Sequence, residues 1–173
     1  MNNFTKALIA AGIATFSMAG FAATQGDLGA TSQGDVIIDV EIPDLLMISG
    51  LNDIDLGTYV ADGGDMDGSD TFCVYSNQGS YKVTLTGNFD AAGAPGTDFY
   101  LENSGNVVPY SVDYNGTAAT AGIEIGGQTG DDSSTNCSGA TNSNILVTIT
   151  ETDIQASPPG AYTGVLTLLV EPE

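Results

Sequence analysis

Short stretches in which apolar and polar residues alternate recur along the chain after residue 22. The clearest is residues 36–42, where Val36, Ile38, Val40 and Ile42 alternate with Ile37, Asp39 and Glu41. A period of two places successive side chains on opposite faces of a β-strand. Similar runs, separated by Gly, Asn, Asp and Pro, predict further strands at 54–60, 71–76, 80–87, 98–102, 107–114, 145–150 and 160–170. Helix signals are almost absent, so the pattern predicts an all-β antiparallel sandwich.

The final run, residues 160–170, has two unlike faces. Tyr162, Leu166, Leu168 and Val170 share one face with Gly164, and Thr163, Val165, Thr167 and Leu169 share the other. A strand with one bulky apolar face is suited to the core of a sandwich.

Two connections can be predicted from turn chemistry. Asn77, Gln78 and Gly79 separate two predicted strands and are expected to join them as a hairpin. Pro109 lies within the predicted strand 107–114 and cannot donate a backbone hydrogen bond, which indicates a sheet edge or a bulge there.

Residues 1–22 have the pattern of an export signal. Lys6 is followed by an apolar stretch over 7–18, which is too short to span a bilayer, and then by the small residues Gly20 and Ala22. We expect cleavage after Ala22 and export through the periplasm to the cell surface or beyond.

The charge balance excludes two classes of partner. The chain has 22 acidic and 2 basic residues, a formal net charge of −20, and Lys82 is its only basic residue after position 22. Nucleic acids and anionic membrane surfaces both attract Lys and Arg clusters. We therefore expect neither nucleic-acid binding nor membrane insertion of the mature chain, and interpret the acidity as a source of solubility.

The chain has two cysteines, Cys73 and Cys137. They are compatible with one disulfide in an oxidising compartment or with two free thiols, and an export signal favours the disulfide.

Residues 23–34 are rich in small and polar residues, and Leu28 is their only large apolar side chain. One interpretation is a frayed terminus. The other is an extended arm whose Gly26, Leu28, Ala30 and Ser32 face one way and add a strand to a neighbouring molecule.

Taken in order, several motifs resemble the spore-coat-protein-U-like family, which includes subunits of archaic chaperone–usher pili. They are residues 54–59 (IDLGTY), 72–74 (FCV), 81–85 (YKVTL), 108–114 (VPYSVDY) and, most specifically, 159–170 (PGAYTGVLTLLV). The chain departs from the family in having no cysteine in residues 43–53 and Leu56 in place of a phenylalanine.

The resemblance implies an immunoglobulin-like sandwich that lacks its last strand. A periplasmic chaperone would fill the gap first, and the N-terminal arm of another subunit would replace it at an outer-membrane usher. By position, residues 1–22 would be the signal peptide, 23–34 the donor arm and 35–173 the sandwich domain. Gly26, Leu28, Ala30 and Ser32 would be the donor residues. Tyr162, Leu166, Leu168 and Val170 would line the acceptor groove, and Cys73 would pair with Cys137. The implied function is that of a structural subunit of an extracellular fimbria, with no cofactor.

One loop has metal-ligand chemistry. Asp62, Asp65, Asp67 and Asp70 lie in a Gly-rich stretch whose carboxylates could bind Ca²⁺. With Asp65 as the first position of an EF-hand loop, the sixth is Asp70 instead of the required glycine. We therefore favour a solvated acidic loop over a calcium site.

The composition offers little for catalysis, and we do not expect an enzyme. There is no histidine to activate Ser or Cys or to ligate zinc. Two alternatives stay open: a self-complete secreted sandwich that binds calcium or carbohydrate at the cell surface, and a non-pilus coat or biofilm-matrix protein.

Overall fold

The computed structural model describes residues 23–173, and the predicted export signal lies outside the described residues. The chain divides into two compact units between Ile42 and Pro43. Residues 35–42, which the sequence analysis assigned to the sandwich, therefore belong to the first unit.

In the first unit, residues 24–35 fold back on themselves. The amide of Thr24 donates to the carbonyl of Asp35, and the amide of Asp35 donates to the carbonyl of Thr24, each at 3.0 Å. The strand predicted at 36–42 is absent from this unit. Its residues are exposed, because no sheet partner is present beside them.

The second unit is all-β, which confirms the predicted fold class. Its strands are β1 (Leu46–Ser49), β2 (Met66–Ser76), β3 (Ser80–Thr86), β4 (Tyr100–Asn103), β5 (Asn106–Pro109), β6 (Ser111–Tyr114), β7 (Thr117–Ala118), β8 (Glu124–Thr129), β9 (Ser143–Ile149) and β10 (Thr167–Glu171). A short helix, α1 (Glu151–Ala156), and a 3₁₀ turn (Cys137–Gly139) complete it.

The strands form antiparallel sheets. One has the order β1-β2-β9-β6-β7, the second β10-β3-β8, and β4 and β5 form a two-stranded ribbon. The predicted strand 107–114 is divided at Tyr110. Pro109 ends β5 and the chain passes into the larger sheet as β6, as expected of a residue that cannot donate to a ladder.

The predicted hairpin around Asn77 to Gly79 is wrong in one respect. The turn is present, with Gly79 at φ 75° and its amide donating to the carbonyl of Ser76 at 2.9 Å. The flanking strands β2 and β3 nevertheless belong to different sheets. Next to the turn, residues 73–76 of β2 pair with β1 and bond the backbone of Asp131. β3 therefore pairs elsewhere, and the turn carries the chain from one sheet to the other.

Alternate residues of the long strands build the core between the sheets. The three-stranded sheet contributes Tyr81, Val83 and Leu85, which are fully buried. From the larger sheet come the buried apolar side chains Phe72, Val74, Val112, Tyr114, Ile145, Val147 and Ile149.

A buried hydrogen-bond network joins the two sheets through Tyr81 of β3. Its hydroxyl lies 2.6 Å from the Tyr114 hydroxyl and 2.7 Å from Ser143 Oγ, and both partners belong to the larger sheet. Burial raises the pKa of the Tyr114 hydroxyl above its ordinary value. The Tyr114 phenol therefore acts as a neutral donor and acceptor.

The disulfide between Cys73 and Cys137 is confirmed. It spans a sequence separation of 64 and fastens β2 to the loop that precedes β9. A loop of this length corresponds to about 4 kcal/mol of stabilisation in the chain-entropy model. Asn142 reinforces the attachment, since its side chain bonds both the amide and the carbonyl of Val74 at 2.8 Å.

No helix among residues 23–173 is long and apolar enough to cross a membrane.

We expect Tyr81→Phe to lower the free energy of unfolding by about 1–3 kcal/mol, because it leaves buried hydroxyls without their shared partner. Urea denaturation would measure the loss. Tyr110→Phe is the matched control, since the Tyr110 hydroxyl makes no hydrogen bond within the described part of the chain. Equal losses in the two variants would contradict a stabilising network.

Candidate functional site

A cavity of about 610 Å³ opens on one side of the sandwich, between two segments, residues 51–57 and 162–168. We call this cavity the groove and the two segments its first and second walls. Its floor is formed by core side chains, namely Leu101, Tyr110, Ile145 and Val147. The volume lies within the range of ordinary binding pockets.

The first wall packs closely on β2 at Gly68. A Cβ added to Gly68 would lie 2.5 Å from Ile54 Cγ2 and 2.6 Å from Leu56 Cδ2. The missing side chain therefore provides the room in which Ile54 and Leu56 reach the core.

Side chains also hold the first wall near each end. At its beginning, the amide of Asn52 donates to Asp70 Oδ2 at 2.8 Å, and Asn52 Nδ2 donates to Asp70 Oδ1 at 3.1 Å. Just beyond its end, the Tyr59 hydroxyl donates to Glu151 Oε1 of α1 at 2.7 Å. The wall is thus positioned without belonging to a strand.

The second wall carries three of the four residues that the sequence analysis assigned to an acceptor groove. Tyr162, Leu166 and Leu168 line the cavity, whereas Val170 packs against the core from β10 outside the lining. On the opposite face, Leu169 is exposed and lies outside the lining, whereas Thr163 and Val165 also border the cavity. Residues of both faces of this segment therefore border the groove.

Part of the backbone of each wall has no backbone hydrogen-bond partner. Within residues 23–173, positions 51–59 make no backbone–backbone hydrogen bond, and neither do 164–166. In the second wall, Thr163 pairs with Glu102, and the amide of Val165 donates to Asn88 Oδ1 at 2.8 Å. Extended backbone with unpaired N–H and C=O groups is a template for another strand.

Tyr110 contributes a phenol hydroxyl to the groove floor. Its ring stacks on Phe99 with centroids 5.5 Å apart, and only 8% of the residue is exposed. Burial raises the pKa of its hydroxyl to about 12. The hydroxyl is therefore a neutral polar group among the apolar side chains of the groove floor, whereas Asn52, Asp53, Asp55 and Asp70 bring polar groups to the rim.

The structure disperses the candidate calcium ligands. Asp65 accepts from the amide of Glu151 at 2.8 Å, and Asp70 is occupied by Asn52. Asp67 lies on the exposed side of β2, and Asp62 occupies a turn with φ 62°. Within residues 23–173, no group of three or more acidic or cysteine side chains is placed to hold a metal ion.

The predicted donor residues lie within the closed turn of the first unit. A Cβ added to Gly26 would overlap the Ser32 hydroxyl, so these two positions face each other across the turn. Leu28 and Ala30 are exposed near its tip. Gly26, Leu28, Ala30 and Ser32 therefore do not form an extended strand in this structure.

The sequence analysis did not identify two features of the site. It interpreted the alternation of Val36, Ile38, Val40 and Ile42 as a strand of the sandwich, whereas the structure leaves all four exposed. It also gave no role to residues 51–57 in the groove. The alternation at 36–42 was the sequence signal for the exposed segment. The position of residues 51–57 depends on packing against Gly68, for which the sequence pattern gives no signal.

No model of a known protein family matches the chain, and no curated protein matches it significantly.

We expect Gly68→Ala to lower the free energy of unfolding by about 1–3 kcal/mol, because the new Cβ overlaps Ile54 and Leu56. Ser69→Ala, on the exposed side of the same strand, is the matched control and should change stability by less than about 0.5 kcal/mol. Urea denaturation would measure both. Similar stability of the two variants would show that the first wall does not rest on Gly68.

Proposed function

We propose that this chain is a structural subunit of an extracellular filament, assembled when a β-strand of one copy completes the sandwich of another. The resemblance to chaperone–usher pilins in the motifs at 54–59 and 159–170 supports this proposal, and those two motifs overlap the two walls of the groove. In this proposal the sandwich is immunoglobulin-like and incomplete. A periplasmic chaperone and an outer-membrane usher handle it before assembly.

The observation that carries the proposal is a groove with an apolar floor between two segments that lack backbone–backbone hydrogen bonds at 51–59 and 164–166. A self-complete sandwich would cover this part of its core with its own strand. The second wall, residues 162–168, spans about 20 Å at 3.3 Å per residue. A strand of about seven residues therefore matches its length.

A strand in the groove would gain stability from two sources. Main-chain hydrogen bonds would satisfy the walls, and each large aliphatic side chain directed at Leu166 or Leu168 would contribute about 1.5–3 kcal/mol by burial. The ordering of the incoming segment would offset part of this gain. Several such side chains suffice for stable association.

The alternatives have less support. A calcium site in the acidic loop would need several carboxylates close together. Asp65 and Asp70 instead bond Glu151 and Asn52, and no metal-binding group of acidic side chains is found within residues 23–173. A carbohydrate site remains the second candidate, because the groove lining contains Asp53, Asp55 and Asp70 beside Tyr110 and Tyr162, but it would leave the unpaired backbone of the walls without a role. We propose no catalytic role, because the sequence has no histidine and the groove contains no activated nucleophile.

We expect the full-length exported chain to form filaments in electron micrographs and a ladder of SDS-resistant oligomers on unheated gels. Leu166→Asp should abolish both, because it places a carboxylate among the apolar side chains of the groove. Leu169→Asp, on the exposed face of β10 and outside the groove lining, should assemble like the wild type. Leu166→Trp, which fills the groove without adding charge, is a second blocking variant.

Circular dichroism would establish that each variant is folded. A wild-type chain that stays monomeric, or folded Leu166→Asp and Leu166→Trp variants that assemble normally, would contradict the proposed function.

A further inference from the structure

We infer that the strand that fills the groove is residues 36–42 of a second copy of this chain. This inference rests on the proposed function and deepens it. It replaces the donor residues that the sequence analysis assigned, Gly26, Leu28, Ala30 and Ser32, with Val36, Ile38, Val40 and Ile42.

Exposure and side-chain type single out this segment. Ile38 is 88% exposed and Val40 84%, while Ile37 on the opposite face is 53% exposed. Contiguous apolar side chains at this exposure are characteristic of an interaction surface. All four alternate residues are β-branched and favour the extended conformation, whereas residues 24–35 are already closed by the Thr24–Asp35 pair.

The segment also fits the groove in length and chemistry. Residues 36–42 span about 20 Å when extended, the same as the second wall at 162–168. One face would present four aliphatic side chains to the apolar floor of the groove. The other face carries Asp39 and Glu41, which would stay in water.

The point of attachment of this segment is fixed at one end of the sandwich. Asn77 Nδ2 donates to the carbonyl of Pro43 at 2.9 Å, and the amide of Leu45 donates to Asn77 Oδ1 at 2.9 Å. Gln78 Nε2 donates to Asp44 Oδ1 at 3.1 Å. Residues 43–45 are therefore held at the turn between β2 and β3.

The groove begins well away from that turn. Asn52 of the first wall bonds Asp70 of β2, which lies seven residues before Asn77 and hence about 23 Å along the strand. Ile42 is joined to Pro43, and consecutive Cα atoms are only about 3.8 Å apart. Ile42 cannot then enter the groove of its own chain, so the occupant must come from another copy.

One consequence concerns the filament. The last donor residue, Ile42, directly precedes the anchored residues 43–45, so no slack segment separates a donor strand from its own sandwich. Consecutive subunits would be joined closely, without a flexible linker.

The test compares three substitutions in the full-length exported chain. Ile38→Asp should abolish the SDS-resistant ladder. Ile37→Asp, its neighbour on the other face, should keep the ladder, and so should Leu28→Asp. Loss of the ladder in Leu28→Asp but not in Ile38→Asp would overturn the assignment while leaving strand exchange intact. Failure of the wild type to form any ladder would instead overturn the proposed function.

Mixing two blocked variants tests whether the donor acts between copies. Ile38→Asp keeps an intact groove, and Leu166→Asp keeps an intact donor, so a mixture should give one SDS-resistant heterodimer and nothing longer. Two copies distinguished by a size tag would identify that species. The inference is wrong if each variant still assembles alone. It is also wrong if the mixture yields only monomers while both variants are folded and the wild type forms ladders.

Discussion

Extended backbone needs hydrogen-bonding partners along its length, and the architecture of this protein depends on where that requirement is left unmet. Strands β2, β9 and β3 each have a neighbour on both sides. The walls of the groove do not: residues 51–59 and 164–166 form no backbone pair within the part of the chain that the structure describes. Packing on Gly68 holds the first wall in place without closing the gap, and this gap is the place that we propose for a donor strand.

The segment at 36–42 has the complementary property: it has the side chains of a strand but no sheet. The formal net charge of −20 disfavours indiscriminate contact between copies. Lys82 is the only basic residue after position 22, and its Nζ lies 2.8 Å from Glu124 Oε2. The proposed strand insertion would instead depend on burial of apolar side chains and on main-chain hydrogen bonds. The net negative charge does not prevent these contacts if Asp39 and Glu41 face water.

Much of the fold could be predicted from the sequence, because core strands such as β3 and β9 alternate between buried and partly exposed residues. The pattern also grouped Tyr162, Leu166 and Leu168, and the structure places all three in the groove lining. It could not show that the Asn77–Gly79 turn crosses between sheets, since that depends on β1 and Asp131 bonding the part of β2 next to the turn. Nor could it show that the strand pattern at 36–42 has no partner beside it, because alternation reports a tendency to pair without identifying the partner.

The central claim is that a strand from another copy completes this sandwich, and amide hydrogen exchange tests it most directly. The Ile38→Asp chain, whose own donor is blocked, would be measured with and without a synthetic peptide of residues 35–43. The account predicts slower exchange at 51–57 and 162–168 with the peptide, and no change with a peptide carrying Ile38→Asp. Unchanged exchange along both walls at saturating peptide, or equal protection by both peptides, would contradict it.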